Sequence, residues 1–286
     1  MGLIIDLFAG GGGASTGIEW ALGRSPDIAV NHDPMALAMH KANHPTTKHL
    51  VENVWHVRPE EIVGNEPVDL LWASPDCTHF SKAKGAAPKR DVNRAKRSRG
   101  LAWVILRWAL HARPRLILME NVEEWIDWCP VGKDGRPDPK RKGETRKRFV
   151  RELGKLGYVV HIQAKDKACD HGAPTIRQRL VMVARCDGQP IVIPKATHGR
   201  SDGVRDLFAG NVEPYRTAAE IIDWSIPCPS IFTRKKELAP ATKRRIARGM
   251  KRFVVDAARP FIVPITRRGD DRVHAIDDPL RTVTTA

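Results

Sequence analysis

Short apolar runs at Leu3–Leu7, Ile28–Asn31, Val68–Ala73, Arg115–Met119, Val159–Gln163 and Leu180–Ala184 punctuate the N-terminal part of the chain. Between them lie longer stretches with helical spacing, at Ala14–Leu22, Pro34–Ala42, Gly100–His111 and Thr145–Leu156. Strand-like runs alternating with helical ones predict a mostly parallel sheet covered on both faces, a Rossmann-like, doubly wound α/β fold. Past Ala184 the alternation fails. Residues 187–286 are rich in proline and short of apolar runs, apart from a helix expected near Ala241–Phe253. The pattern predicts a main domain over residues 1–186 and a smaller irregular one over 187–286, with the boundary near Arg185–Pro190.

Three of the predicted strands run straight into chemically loaded turns. Leu3-Ile4-Ile5 leads into Asp6-Leu7-Phe8-Ala9-Gly10-Gly11-Gly12-Gly13, Val68–Trp72 into Ser74-Pro75-Asp76-Cys77, and Leu116–Met119 into Glu120-Asn121-Val122. Ligands of open α/β sheets bind outside the carboxyl ends of the strands. A glycine turn, a thiol and a carboxylate are therefore expected on one rim, which is the layout of an enzyme.

Charge adds a partner. The 286 residues hold 48 Lys and Arg against 33 Asp and Glu, a net charge of +15. The excess is clustered: Lys82–Arg99 holds eight basic residues and one acid, Gly132–Arg151 nine basic residues, and Lys243–Arg252 six. Such clusters beside a candidate nucleophile favour a nucleic acid over a merely solvated surface. The five irregularly spaced cysteines argue against a disulfide framework, and every apolar run is short and interrupted by charge. The chain reads as a soluble protein of a reducing compartment.

The glycine turn lets a strand bend tightly into a helix and brings backbone close to a ligand. No register gives G-x-G-x-x-G, because the third position falls on Ser15 or Thr16, and no lysine follows Gly17 as in a P-loop. Phe8 offers a stacking face for an adenine. A second Asp-Leu-Phe-Ala-Gly, at Asp206–Gly210, follows no strand and reads as coincidence in a loop. Cys77 could be an ordinary buried thiol, but its strand-end position and the basic run after it favour a thiolate. No metal is expected: Cys77-Thr78-His79 and Cys169-Asp170-His171 are C-x-H without the paired spacing of structural zinc. Glu120 at the end of a buried strand needs a partner or a function, such as that of an acid with a raised pKa. Arg177 and Arg179, two apart just before the strand Leu180–Ala184, point the same way and could reach an anion or a base edge, or be ordinary solvated charge.

Read together, these residues resemble the C5-cytosine DNA methyltransferase family. Asp6–Gly10 with Gly12, Gly13 and Gly17 resembles its S-adenosylmethionine-binding motif, and Pro75-Asp76-Cys77 with Phe80-Ser81 its catalytic-cysteine motif. Glu120-Asn121-Val122 is similar to its glutamate-asparagine-valine motif, and Gly172–Arg179 to the one ending in arginine-x-arginine. The resemblance implies a methyltransferase fold and methyl transfer from S-adenosylmethionine to C5 of a flipped cytosine, leaving S-adenosylhomocysteine. It implies Cys77, Glu120, Asn121, Arg177 and Arg179 as catalytic residues. Asp6, Phe8, Ala9, Gly10, Gly12, Gly13, Asn31, His32, Asn53, Val54 and Pro75 would bind the cofactor. Ser81, Lys82, Lys84, Lys89, Arg90, Arg94, Lys96 and Arg97 would meet double-stranded DNA, bound by a monomer in the cytoplasm of a bacterial host without any membrane.

Several positions depart from the family pattern. Asp76 stands where a second proline is usual, and a carboxylate there is expected to raise the Cys77 thiol pKa. Asn31 and Asn53 replace acids that contact the cofactor, keeping an acceptor without the charge, and Thr175 replaces a glutamine. The family's final motif is not found. The sequence therefore predicts weak cofactor binding by this chain alone, restored by a further C-terminal segment or a second polypeptide. An RNA substrate, or a DNA-binding relative without activity, are the alternatives; an oxidoreductase ranks far lower because the glycine spacing does not fit.

Overall fold

A computed structural model describes residues 1–76, 99–132, 136–200, 212–227, 230–233, 235–257, 260–263 and 273–280. Contacts divide the chain into two units, Met1–Lys165 with Arg179–Ile193, and Asp166–Gln178 with Pro194–Ala286. The chain thus leaves the first unit at Asp166, returns at Arg179 and leaves again after Ile193.

The first unit is built on a seven-stranded sheet in the order β3-β2-β1-β4-β5-β7-β6. Its strands are β1 Leu3–Leu7, β2 Ile28–Asn31, β3 Lys48–Val51, β4 Val68–Ala73, β5 Leu116–Asn121, β6 Val159–Lys167 and β7 Gln178–Arg185. β1 pairs in parallel with β2 and β4, as do β2 with β3 and β4 with β5, whereas β7 lies antiparallel to β5. The helices are α1 Gly13–Leu22, α2 Pro34–Asn43, α3 Pro59–Val63, α4 Trp103–His111 and α5 Glu144–Lys155.

Period-two alternation sends successive residues of each strand to opposite faces. Ile5, Leu7, Leu71, Ala73, Ile117 and Met119 pack in the main core with Val104, Ile105 and Trp108 of α4 and Phe149 and Leu153 of α5. Ile4 and Leu70 face Ile18 of α1, while Ala29 meets Leu37 of α2. Both faces are covered, so the central strands read as nearly continuous apolar runs. The ends are set by local chemistry: Asp33 caps α2 by accepting from Met35 N–H at 2.9 Å with Pro34 at its first position, and Gly23 closes α1 with φ +71°.

Beyond the sheet, Trp103, Trp125, Trp128 and Phe149 interlock with ring centroids 5.2–5.8 Å apart. Tyr158 is buried beside this core and donates its hydroxyl to the Pro114 carbonyl at 2.6 Å. Burial and the nearby Cys186 sulfur hold its phenol well above the usual range.

The second unit is sparser. Two-residue strands pair His198–Gly199 in parallel with Glu213–Pro214, and Phe261–Ile262 antiparallel with His274–Ala275. Its helix α6 spans Pro240–Gly249 and continues as a π-helical turn, Met250–Val255, where Phe253 stacks on Phe261 at 5.7 Å. Among the described residues no helix is long and apolar enough to cross a membrane.

Phe149 is fully buried at the centre of the aromatic cluster. Phe149→Ala should lower unfolding stability by about 3–5 kcal/mol, read by denaturant titration, because the surrounding indoles cannot close the void.

Candidate active site

The site grows from the carboxyl ends of β1, β2 and β4. After Leu7 the backbone turns through Phe8 at φ +63°, a left-handed value that non-glycine residues adopt only under constraint, and through Gly12 at φ +104°. A Cβ on Gly12 would lie 2.8 Å from the His44 ring, and one on Gly11 2.5 Å from Met39 Sδ, so the turn is pressed onto α2. Gly10 and Gly13 face open space, where a Cβ would meet no atom within 4 Å. That open side lets a ligand approach the backbone.

A cavity of about 380 Å³ lies at these strand ends, lined by Phe8, Asn31, His32, Asn53, Val54, Trp55, Ser74, Asp76 and Leu101. Its size is that of a small-molecule site. Phe8 and Trp55 bring aromatic faces, and Ser74 and Asp76 bring polar groups from the turn after β4. Arg107 of α4 fixes the far wall by donating to the Trp55 carbonyl at 2.6 Å and to the Val57 carbonyl. Asn31 spends its side chain locally: Nδ2 donates to the Ala9 carbonyl at 2.6 Å and Oδ1 accepts from Asp33 N–H at 2.9 Å. Asn53 Oδ1 accepts from Trp55 N–H at 3.0 Å.

Of the residues expected at the cofactor, Phe8, Asn31, His32, Asn53 and Val54 line this cavity. Asp6, Ala9, Gly12 and Pro75 are buried and, like the exposed Gly10 and Gly13 of the turn, are not among its lining residues. Trp55 and Leu101 join the wall although no local motif marks them. The open turn, two aromatic faces and several amide and carboxyl acceptors fit a nucleoside-bearing cofactor.

The end of β5 supplies the second group. Glu120 Oε1 pairs with Arg179 Nε at 2.6 Å, both partly buried, so the strand-end carboxylate has its counter-ion. Asn121 is 1% exposed and donates Nδ2–H to the Pro75 carbonyl at 3.1 Å, while its Oδ1 accepts from Val122 N–H. This bond ties the Glu120 strand to the segment running into Cys77. Arg177 belongs to the other unit, where its carbonyl accepts from Ala168 N–H at 2.9 Å.

Cys77, Ser81, Lys82, Lys84, Lys89, Arg90, Arg94, Lys96 and Arg97 lie outside the described residues, as does the Asp206–Gly210 repeat. Among the described cysteines, Cys129 and Cys169 are buried, and desolvation pushes both thiols up, away from nucleophilic chemistry at neutral pH. Cys186 donates its thiol to the Pro114 carbonyl.

Comparison with known proteins agrees with this geometry. The chain is 28% identical over 250 residues to the type II methyltransferase M.AquIA of Picosynechococcus sp., covering 85% of this chain and 96% of that protein. To the type II methyltransferase M.AgeI of Thalassovita gelatinovora it is 30% identical over 208 residues, 70% of this chain but only 44% of that protein. DNMT2 of Spodoptera frugiperda shares the fold with a TM-score of 0.55 at 20% identity, covering 86% of this chain and 64% of that one. The profile of the C-5 cytosine-specific DNA methylases matches residues 3–205, and the chain belongs to that family.

Proposed function

We propose that this chain transfers a methyl group from S-adenosylmethionine to C5 of cytosine in double-stranded DNA. The observation that carries the reading is the bond from Asn121 to the Pro75 carbonyl, beside a nucleoside-sized cavity and the Glu120–Arg179 pair. It ties the acid's strand to the chain that leads into Cys77. Bound S-adenosylmethionine supplies an electrophilic methyl group and leaves as S-adenosylhomocysteine. Phe8 and Trp55 would hold its adenine between aromatic faces, with Asn31 and Asn53 as neutral acceptors.

The cytosine has to leave the duplex to reach the strand ends. The Cys77 thiolate then adds to C6, forming a carbon–sulfur bond and making C5 nucleophilic. Glu120 bonds N3 and delivers the proton that balances the added negative charge. Arg179 holds the base O2, with Arg177 as its expected support, and Asn121 keeps the cysteine segment in place. C5 takes the methyl group; loss of the C5 proton, expulsion of the thiolate and return of the N3 proton to Glu120 then restore the aromatic ring. Ser81, Lys82, Lys84, Lys89, Arg90, Arg94, Lys96 and Arg97 would close over the DNA, bound by one copy of the chain in a bacterial cytoplasm. A covering segment, from a longer chain or a second polypeptide, would shield the side of the cavity where Trp55 is 39% exposed.

Cys77→Ser should abolish label transfer from S-adenosylmethionine to cytosine-containing DNA while leaving DNA affinity largely intact, because a hydroxyl is far less ionised than a thiol. DNA containing 5-fluorocytosine should trap the wild type covalently on a denaturing gel, since fluorine cannot leave as the proton does. Methylation without a trapped adduct would remove Cys77 from the mechanism. Transfer to RNA but not DNA would assign the same chemistry to the other nucleic acid.

DNA affinity should also drop steeply with salt, roughly 10³–10⁵-fold between low and physiological concentrations for six to ten phosphate contacts. Neutralising Lys89, Arg90, Arg94, Lys96 and Arg97 together should flatten the log–log slope by up to about 4.5, at about 0.9 per contact. Affinity indifferent to salt would take this run out of the interface.

A further inference from the structure

A chain of buried polar groups lies against the glycine turn and takes no part in the reaction above. Asp6 on β1 is 1% exposed; its Oδ2 accepts the Ser15 hydroxyl at 2.7 Å, and its Oδ1 meets no donor among the described residues. Ser15 Oγ also lies 2.9 Å from Nε2 of His40, a fully buried residue of α2, and that nitrogen is 3.8 Å from Asp6 Oδ2. On its other side, His40 Nδ1 is 2.8 Å from Nε2 of His49 on β3. His44 completes the cluster, with its Nδ1 3.1 Å from Glu19 Oε2 of α1 and its Nε2 3.2 Å from the Gly12 carbonyl. Lys41 is the remaining cation acting on His49.

The hydrogens can be counted. The one hydroxyl hydrogen of Ser15 goes to Asp6, so its contact with His40 requires Nε2–H to donate. The His40–His49 contact then needs one further hydrogen. Given by His49, it leaves both rings neutral; given by His40, it makes that ring an imidazolium facing the Asp6 carboxylate. The two states differ by one bound proton. The His40 ring lies 4.8 Å from that of His44 and 4.9 Å from that of His49, too close for two of them to be charged together. Burial, with His40 and Lys41 close by, holds His49 below its ordinary value.

We propose that His40, acting through Ser15 and Asp6, is a proton-linked positioning residue that sets how strongly the site prefers sulfonium S-adenosylmethionine over uncharged-sulfur S-adenosylhomocysteine. The inference rests on the cofactor reading of the preceding subsection. With the proton on His40, the buried carboxylate is neutralised. Without it, a lone negative charge stands behind the Gly10–Gly13 turn and favours a cationic ligand. The two ligands differ by one methyl group and its charge, so the ratio of their affinities separates electrostatics from packing.

Titration calorimetry on the full chain with both ligands, from about pH 5.5 to about pH 8.5, spans histidine protonation. In the wild type the S-adenosylmethionine-to-S-adenosylhomocysteine affinity ratio should rise severalfold with pH. In His40→Gln, whose amide can still donate to Ser15 but cannot be charged, it should stay flat. The same pH profile in both proteins would overturn the proposal. A second measurement needs no ligand: ring-nitrogen NMR should show His40 losing its extra proton at lower pH in Asp6→Asn than in the wild type, with Ser15→Ala as the alternative if that variant does not fold. An unchanged midpoint would overturn the proposal. Wild-type chain that binds neither ligand would count against the cofactor reading instead, and the NMR comparison would still decide the role of His40.

Discussion

β1 is hydrogen-bonded in parallel on both sides, to β2 and to β4, and the chain leaves its carboxyl end where those two neighbours diverge. A doubly wound sheet opens a crevice at that reversal of strand order. The turn out of β1 must clear the crevice and still deliver the chain into α1 within a few residues. Phe8 and Gly12 meet that demand with positive φ, and the His44 ring leaves no room for a side chain on Gly12. The placement of Phe8 on the cavity wall, the open side of Gly10 and the burial of Asp6 all follow from this one turn.

The strands nearest β1 were legible because they are buried on both faces. Leu3–Leu7, Ile28–Asn31 and Val68–Ala73 coincide with their observed limits, whereas β5, β6 and β7 run one to four residues beyond the predicted apolar runs. β3 was not legible: Lys48-His49-Leu50-Val51 is an edge strand, and none of its residues is fully buried, so it carries little apolar signal. The short α3 escaped for the related reason that five residues barely show a helical period. The excursion of Asp166–Gln178 into the second unit is set by long-range contacts that periodicity does not encode. In the site, Phe8, Asn31, His32, Asn53 and Val54 of the motif-derived set line the cavity, whereas Leu101 reaches it from just before α4, far along the chain, where no motif points to it.

The basic clusters are not equivalent once folded. Around α5, Arg141 pairs with Glu144 at 2.7 Å, Lys142 with Asp127 at 2.9 Å and Lys155 with Glu152 at 2.9 Å. In the second unit Lys243 pairs with Glu237. Exposed pairs of this kind add little stability, but each takes a cation partly out of competition for phosphate. The run from Lys82 to Arg99 contains a single acid, Asp91, and cannot be neutralised in the same way from within.

On the cofactor side, too, charge placement decides what each residue can do. Carboxylates at positions 31 and 53 would place charge on the cavity wall, and this chain has amides there, each already engaged with nearby backbone. An amide satisfied by its neighbours costs less to bury than a carboxylate, and it also attracts a cation less. The wall keeps one acid, Asp76, which is exposed beside solvent. A buried carboxyl sits at Asp6, two residues before the cavity-lining Phe8, with Ser15 and His40 against it. Low dielectric makes a buried charge act farther than an exposed one. The amides at positions 31 and 53 thus leave aromatic faces and neutral acceptors on the cavity wall, with the Asp6 carboxyl, Ser15 and His40 linked in the buried interior.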